Sequence, residues 1–280
     1  MSAPSAGILH EEHLLLGARL AQTAAGGLEV WSYAGEKDLA SALEGAALAD
    51  LTGSTYLLVS GPGAAPLVRA ALCGRELAVG EAAFEGCLSG DGGLVSVPLA
   101  LRTGDGEHVL LDPSARGPVL CGWLEFLAGL EGAEGAAFPG VAVDDASEML
   151  VALLLVGRAA EEVLSDYART EPLPAPGAVA PVHLDAIACL VARLPEALAA
   201  PGYLVLVPPA SARVLWRSLL SFNEVSPVGH EALRELVATS LPWGAALAEK
   251  GPCRAGRTEL AAWGLVRDEG DFVGARALEP

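Results

Sequence analysis

Aromatic residues make up only 5% of this 280-residue chain, so its core must be packed mainly with Ala, Leu and Val. Basic residues are also few, 17 against 35 acidic ones, for a formal net charge of −18. A surface of that sign repels phosphate backbones and anionic lipid, which argues against nucleic-acid and membrane-surface binding. No Cys-x-x-Cys pair occurs among Cys73, Cys87, Cys121, Cys189 and Cys253. Their odd number and irregular spacing argue against a disulfide framework or a structural zinc site, and they read as small buried hydrophobes in a reducing cytoplasm. The N-terminal MSAPSAGILHEEHLLLG has no basic region ahead of its apolar residues, so it does not read as a signal peptide. The longest strongly apolar run, Met149 to Val156, falls far short of the roughly 20 residues of a membrane helix. What the chain does have is hydrophobic residues, 52% against 19% charged, which predicts a sizeable folded core.

Read for periodicity, His10 to Ala25 has helical spacing, with Leu14, Leu15, Ala18 and Leu20 near one face and a stop at Gly26-Gly27. LEVWSY reads as a short strand, and Asp38 is placed to cap a helix over LASALEGA that ends near Ala46. TYLLVS is a strand that stops at Gly61-Pro62-Gly63, after which Ala64 to Leu72 is helical. Three strand-like stretches follow, GEAAFEGCLS, GGLVSVPLALR and EHVLLD, joined by Gly-Asp-Gly turns, and then a helix from Gly122 to Leu130. A Gly/Ala stretch from Gly132 to Gly140 looks like a linker. The order then repeats: strand MLVALLLV, helix Arg158 to Arg169, a proline-rich break, strands VHLDAIACLVA and GYLVLVP, helix Ala210 to Leu220, and a further helix from Glu231 to Thr239. Strand, helix, strands, helix, twice over, predicts an α+β fold of two ferredoxin-like units with helices on one face of each sheet.

A series of landmarks stands in order along nearly the whole chain. They begin with His13 and Gly17-Ala18-Arg19, then Ala49-Asp50-Leu51-Thr52 leading into TYLLVSGPGA, then GEAAFEGCL, Gly92-Gly93-Leu94-Val95 and Trp123-Leu124. GYLVLVPPASARVLWRSLL, Pro227-Val228-Gly229, Leu241-Pro242-Trp243-Gly244 and Pro252 with Ala255-Gly256 follow. The run ends at Asp271-Phe272-Val273-Gly274-Ala275-Arg276-Ala277-Leu278. This run resembles the folate-binding aminomethyltransferase family, the T-protein of the glycine cleavage system and its relatives. The last piece is the most specific, close to the family's Asp-Phe-Ile-Gly-x-x-Ala-Leu. The resemblance implies a T-protein-like α+β unit from 1–48 and 132–280, an inserted ferredoxin-like unit from 49–131, and a folate channel. Full-length T-proteins continue into a C-terminal β-barrel domain. That domain is expected to be absent here, with the channel side it flanks open or covered by a protein partner.

The family's reaction needs a carboxylate beside N5 of tetrahydrofolate to orient the folate and stabilise developing charge. The resemblance sets the family's Asn-Asp pair against Gly74-Arg75, so the catalytic acid position is Arg75, with Glu76 next to it as the substitute acid if the loop shifts. The pterin-reading acids fall on Ala200 and Leu204, while Gly202 and Tyr203 are kept. A pterin donor edge buried against Leu204 loses roughly 1–3 kcal/mol per unpaired group. The remaining implied folate contacts are Phe84, Asp112, Tyr203 and Trp243. On the residues alone, Phe84 and Trp243 read equally as core, and Asp112 before Pro113 as a turn residue. His10 and His13, with Glu11 and Glu12 between them, lack a third metal ligand and read as surface or helix-start residues, and VDDAS at Asp144 reads as a strand-entry turn. Gly61-Pro62-Gly63 lacks the Lys-Ser/Thr of a phosphate loop. Three readings stand: a T-protein-like protein binding tetrahydrofolate or a related folate, with an altered acid and no efficient glycine-cleavage transfer; a working tetrahydrofolate-dependent one-carbon transferase; and a non-catalytic assembly subunit.

Overall fold

The structure, a computed structural model, describes residues 6–23, 27–132, 135–196, 198, 200–248 and 253–279. The N-terminal MSAPS, the Gly26 stop and the Pro252 landmark lie outside the described residues. Two compact units form, one from residues 1–54 and 147–241, the other from 55–146 and 242–280. The division expected from the sequence was 1–48 with 132–280, and 49–131, and the strand pairing bears on those bounds. Ala142–Asp145 completes the second unit's sheet beside Thr55–Ser60, and Cys253–Arg254 pairs with Gly93–Ser96.

The first unit carries a six-stranded sheet in the order Val179–Leu184, Ile187–Arg193, Gly202–Val207, Val151–Val156, Ala46–Asp50, Val225–Pro227. Only the last pairing is parallel. Val151–Val156, helix Ala160–Ala168, Ile187–Arg193, Gly202–Val207 and helix Pro209–Leu219 follow the ferredoxin-like order, and Ala46–Asp50, from earlier in the chain, takes the place of the final strand. Leu48, Leu153, Leu164, Val205, Trp216 and Leu219 meet in one core, each contributing about 1.5–3 kcal/mol through burial.

Three local expectations change here. The first helix spans only His10–Leu15, because Gly17 at φ +73° turns the chain into strand Ala18–Gln22, which pairs with Leu28–Tyr33. VHLDAIACLVA is a hairpin instead of one strand, split at Asp185, whose φ of +54° suits a tight turn. Ala46–Asp50 is a strand buried at every residue, although AALAD has no β-branched side chain. Asp38 does cap helix Leu39–Glu44, accepting from Ser41 N at 2.9 Å.

The second unit has a five-stranded antiparallel sheet in the order Ala142–Asp145, Thr55–Ser60, Glu107–Asp112, Leu99–Gly104, Ala82–Phe84. Helices Ala64–Ala71 and Gly117–Ala128 complete the ferredoxin-like order over a core that includes Leu57, Val59, Leu67, Leu110, Leu120 and Leu124. Asp144 and Asp145 are strand residues opposite Leu58 and Leu57, not a turn. Helix Gly117–Ala128 starts five residues ahead of the predicted Gly122 because Pro118 fits its first turn. GEAAFEGCLS divides between two sheets. Ala82–Phe84 joins the five-stranded sheet, and Cys87–Leu88 joins Gly93–Ser96 and Cys253–Arg254. Residues 85 and 86 sit at that crossing, with Glu85 N donating to Pro98 O at 3.0 Å. Among the described residues no helix is long and apolar enough to cross a membrane.

Candidate functional site

Helix Ala64–Ala71 ends against Arg267, which comes from the far end of the chain. Its guanidinium donates to the carbonyls of Arg69 at 2.7 Å, Leu72 at 2.7 Å and Gly74 at 2.9 Å. Carbonyls at a helix C-terminus lack partners within the helix and take such donors readily. Arg267 Nε also bonds Asp271 at 2.8 Å, and Arg69 Nε bonds the same carboxylate at 2.7 Å. These bonds, Arg267 first, hold the Asp271 carboxyl below its usual range. Phe272 lies under the Arg267 guanidinium at 4.9 Å. The Asp271-Phe272 landmark therefore fixes the loop that follows the helix.

That loop forms one wall of a cleft lined by Val68, Leu72, Leu77 and Ala100 with Arg69, Gly74, Arg75, Glu76, Glu85, Arg102, His108 and Arg267. Its interior holds about 30 Å³, room for a few waters at ~10–15 Å³ each. Both sequence-derived acid positions are here. Arg75 is exposed and donates to Glu81 Oε2 at 2.5 Å, and that bond holds the Glu81 carboxyl below its usual range. Glu76 is exposed too, bound by Arg69 at 2.6 Å and 3.6 Å from Arg102. Neither offers a buried free carboxylate.

Glu85 offers a buried carboxyl, and the sequence reading missed it. It is 3% exposed, and its Oε2 has no hydrogen-bond partner. Burial pushes its carboxyl up to about 8, against the opposing pull of the Arg75 and Arg267 charges and the Gly74 backbone. A Cβ on residue 74 would fall on Glu85 Oε2, so the glycine makes the room that this carboxyl fills. The available signal was one acid inside an otherwise apolar strand pair. Two more buried atoms of the lining residues lack partners, Arg102 Nε and His108 Nδ1. Burial, with the Arg102 charge adding to it, pushes the His108 imidazole down to about 4.

Of the expected folate contacts, the structure brings Phe84 and Trp243 together, ring centroids 5.4 Å apart at 61°, with Trp243 buried. Asp112 is buried and internally engaged, accepting from Ser96 Oγ and, at 2.8 Å, from Ser114 N. Burial raises its carboxyl, and those hydrogen bonds and Arg116 oppose the shift. Tyr203 belongs to the first unit's core, with Arg193 5.6 Å above its ring.

His13 is not the surface or helix-start residue expected. It is fully buried, with Nε2 2.8 Å from Asp50 Oδ2 and Nδ1 2.8 Å from Tyr33 Oη. Thr52 donates to Asp50 Oδ1 through its backbone N at 2.9 Å and its hydroxyl at 2.8 Å. Among the described residues no group of three or more His, Cys, Asp or Glu could hold a metal ion.

This α+β arrangement has a known counterpart. The crystal structure of glycine cleavage system aminomethyltransferase T from Bartonella henselae superposes with a TM-score of 0.68, over 97% of this chain and 73% of that one, at 19% identity. The heterotetrameric sarcosine oxidase from Corynebacterium sp. U-96, in complex with pyrrole 2-carboxylate, gives 0.44 over 64% of this chain and 84% of that one, at 21% identity. No family profile matches the sequence, and no curated protein does. The class is therefore a two-unit α+β fold with ferredoxin-like sheets. More particularly, it is the fold of aminomethyltransferase T.

Proposed function

We propose that this chain is a T-protein-like protein that binds tetrahydrofolate or a related folate and does not carry out efficient glycine-cleavage aminomethyl transfer. The observation that carries the reading is Arg75. At the position the resemblance gives to the catalytic acid, a guanidinium points outward in an ion pair with Glu81, and it cannot accept a proton at neutral pH. Loss of such a carboxylate removes about 10²–10⁴ in rate. Phe84 and Trp243 supply an aromatic pair for the ligand, with Asp112 of the same unit as a further contact. The five free cysteines suit a reducing cytoplasm.

Calorimetry with 5-formyl-tetrahydrofolate tests the binding, and transfer from aminomethylated lipoyl carrier protein to tetrahydrofolate tests the chemistry. Saturable heat with negligible turnover is expected. Absence of binding, or turnover comparable with an ordinary aminomethyltransferase T, overturns the reading. One observation favours a second reading, a working one-carbon transferase: Glu85 keeps a buried carboxyl in the same cleft as Arg75.

A further inference from the structure

Four arginines line the cleft: Arg69 on helix Ala64–Ala71, Arg75 in the loop, Arg102 on strand Leu99–Gly104 and Arg267 from the C-terminal segment. Three carboxylates answer them, Glu76, Glu81 and Asp271. Glu85, the fourth carboxyl, holds its proton at neutral pH, since burial sets it at about 8. The other titratable groups against it are neutral there. The Cys73 thiol is pushed up to about 12 by burial, and the His108 imidazole down to about 4. Glu107, beside His108, is exposed and takes the Thr103 hydroxyl at 2.6 Å.

The same lining holds three buried polar atoms without partners, Arg102 Nε, His108 Nδ1 and Glu85 Oε2. Buried polar groups ordinarily have partners, so three orphans on the lining residues of one cleft call for partners from outside the chain. We propose that this cleft is an oxyanion subsite that takes a small carboxylate group, with Arg102 Nε–H and the Glu85 carboxyl as its two donors. A neutral carboxyl donates its O–H to a carboxylate in a short, charge-assisted bond, and the guanidinium edge supplies the second donor. Two donors on separate side chains match the two oxygens of a carboxylate head. Binding is linked to one proton, because Glu85 can donate to the guest only while it stays protonated. The subsite does not depend on the folate-type reading and goes beyond it.

The test titrates sodium acetate, and separately inorganic phosphate, into the full chain at constant ionic strength in chloride, following the assigned Arg102 Nε–H resonance. Acetate is expected to saturate the signal at pH 6 and to weaken about tenfold for each pH unit above roughly 8. Glu85→Gln keeps a donor of similar shape and should bind acetate with that slope removed. Arg102→Gln should weaken acetate at least tenfold. If Arg102→Gln fails to fold, the wild-type slope and its loss in Glu85→Gln still decide the matter. No saturation by acetate, an affinity independent of pH, an unchanged slope in Glu85→Gln, or phosphate binding tighter than acetate overturns the proposal.

Discussion

The carboxyl of Glu85 occupies the space in which a side chain on residue 74 would stand. Gly74→Ala should therefore displace a buried carboxyl and destabilise the chain by about 1–3 kcal/mol. Combining it with Glu85→Ser vacates the space, so the double variant should be more stable than the sum of the singles predicts, by about 1 kcal/mol or more. Urea unfolding of the four proteins measures this coupling, and simple additivity would show that the two residues do not compete.

Stability should fall as pH rises from about 6.5 to 8. Glu85 has its carboxyl raised in the folded state to about 8, so the folded chain binds more protons than the unfolded one until that pH is passed. The slope is at most about 1.4 kcal/mol per pH unit. His108 acts with the opposite sign at lower pH. Its folded value of about 4 lies below that of an ordinary histidine, so its contribution rises with pH up to about 6.5 and masks Glu85 in that range. His230, lowered by burial, adds to that rise. Urea midpoints across this range should decline for the wild type and stay level for Glu85→Gln. Parallel curves would mean that Glu85 is ionised in the folded chain.

Most of this architecture was legible because it is written in local pattern. TYLLVS, EHVLLD and GYLVLV are strands at those places because apolar strand formers end at turn residues. AALAD was not legible, since its strand character comes from the partners on either side, Val151–Val156 and Val225–Pro227. The first helix was read too long because Ala18, Leu20 and their neighbours fit a helical face, and only pairing with Leu28–Tyr33 decides otherwise. At the candidate site, Arg75 and Glu76 were named through the resemblance, and both line the cleft. Glu85 was not, because its importance lies in burial and in its nearness to Gly74, which is 11 positions away in the chain and adjacent only after folding.

Asp50 should be among the least replaceable residues. Asp50→Ala strips a fully buried His13 of one partner and also leaves the Thr52 amide and hydroxyl without their acceptor. A loss of about 3–5 kcal/mol is expected. Tyr33→Phe removes only the hydroxyl at His13 Nδ1 and should lose about 1–3 kcal/mol. Chemical denaturation ranks the two, and an Asp50→Ala effect below that of Tyr33→Phe would refute the network's order.

Restoring a pterin-reading acid at position 204 should fail for structural reasons. Leu204 is fully buried between Leu154 and Ala192 in neighbouring strands of the six-stranded sheet. Leu204→Glu places a carboxyl among aliphatic side chains, which it can occupy only protonated or at a cost of several kcal/mol. Low soluble yield or a sharply lowered Tm is expected. A variant that melts like the wild type would show that this strand position opens to solvent or ligand.

The six-stranded sheet of the first unit ends in Val179–Leu184 on one side and Val225–Pro227 on the other, and each outer strand contains a proline, Pro181 and Pro227. A proline has no N–H to offer an arriving strand. On the Pro181 side the His183 amide is already taken by the Glu171 carboxylate at 2.8 Å. A chain with so many aliphatic residues is at risk of sheet-to-sheet polymerisation whenever an edge is left open. Replacing these two prolines with valine would leave the fold's interior untouched and turn both rims into templates for fibril growth.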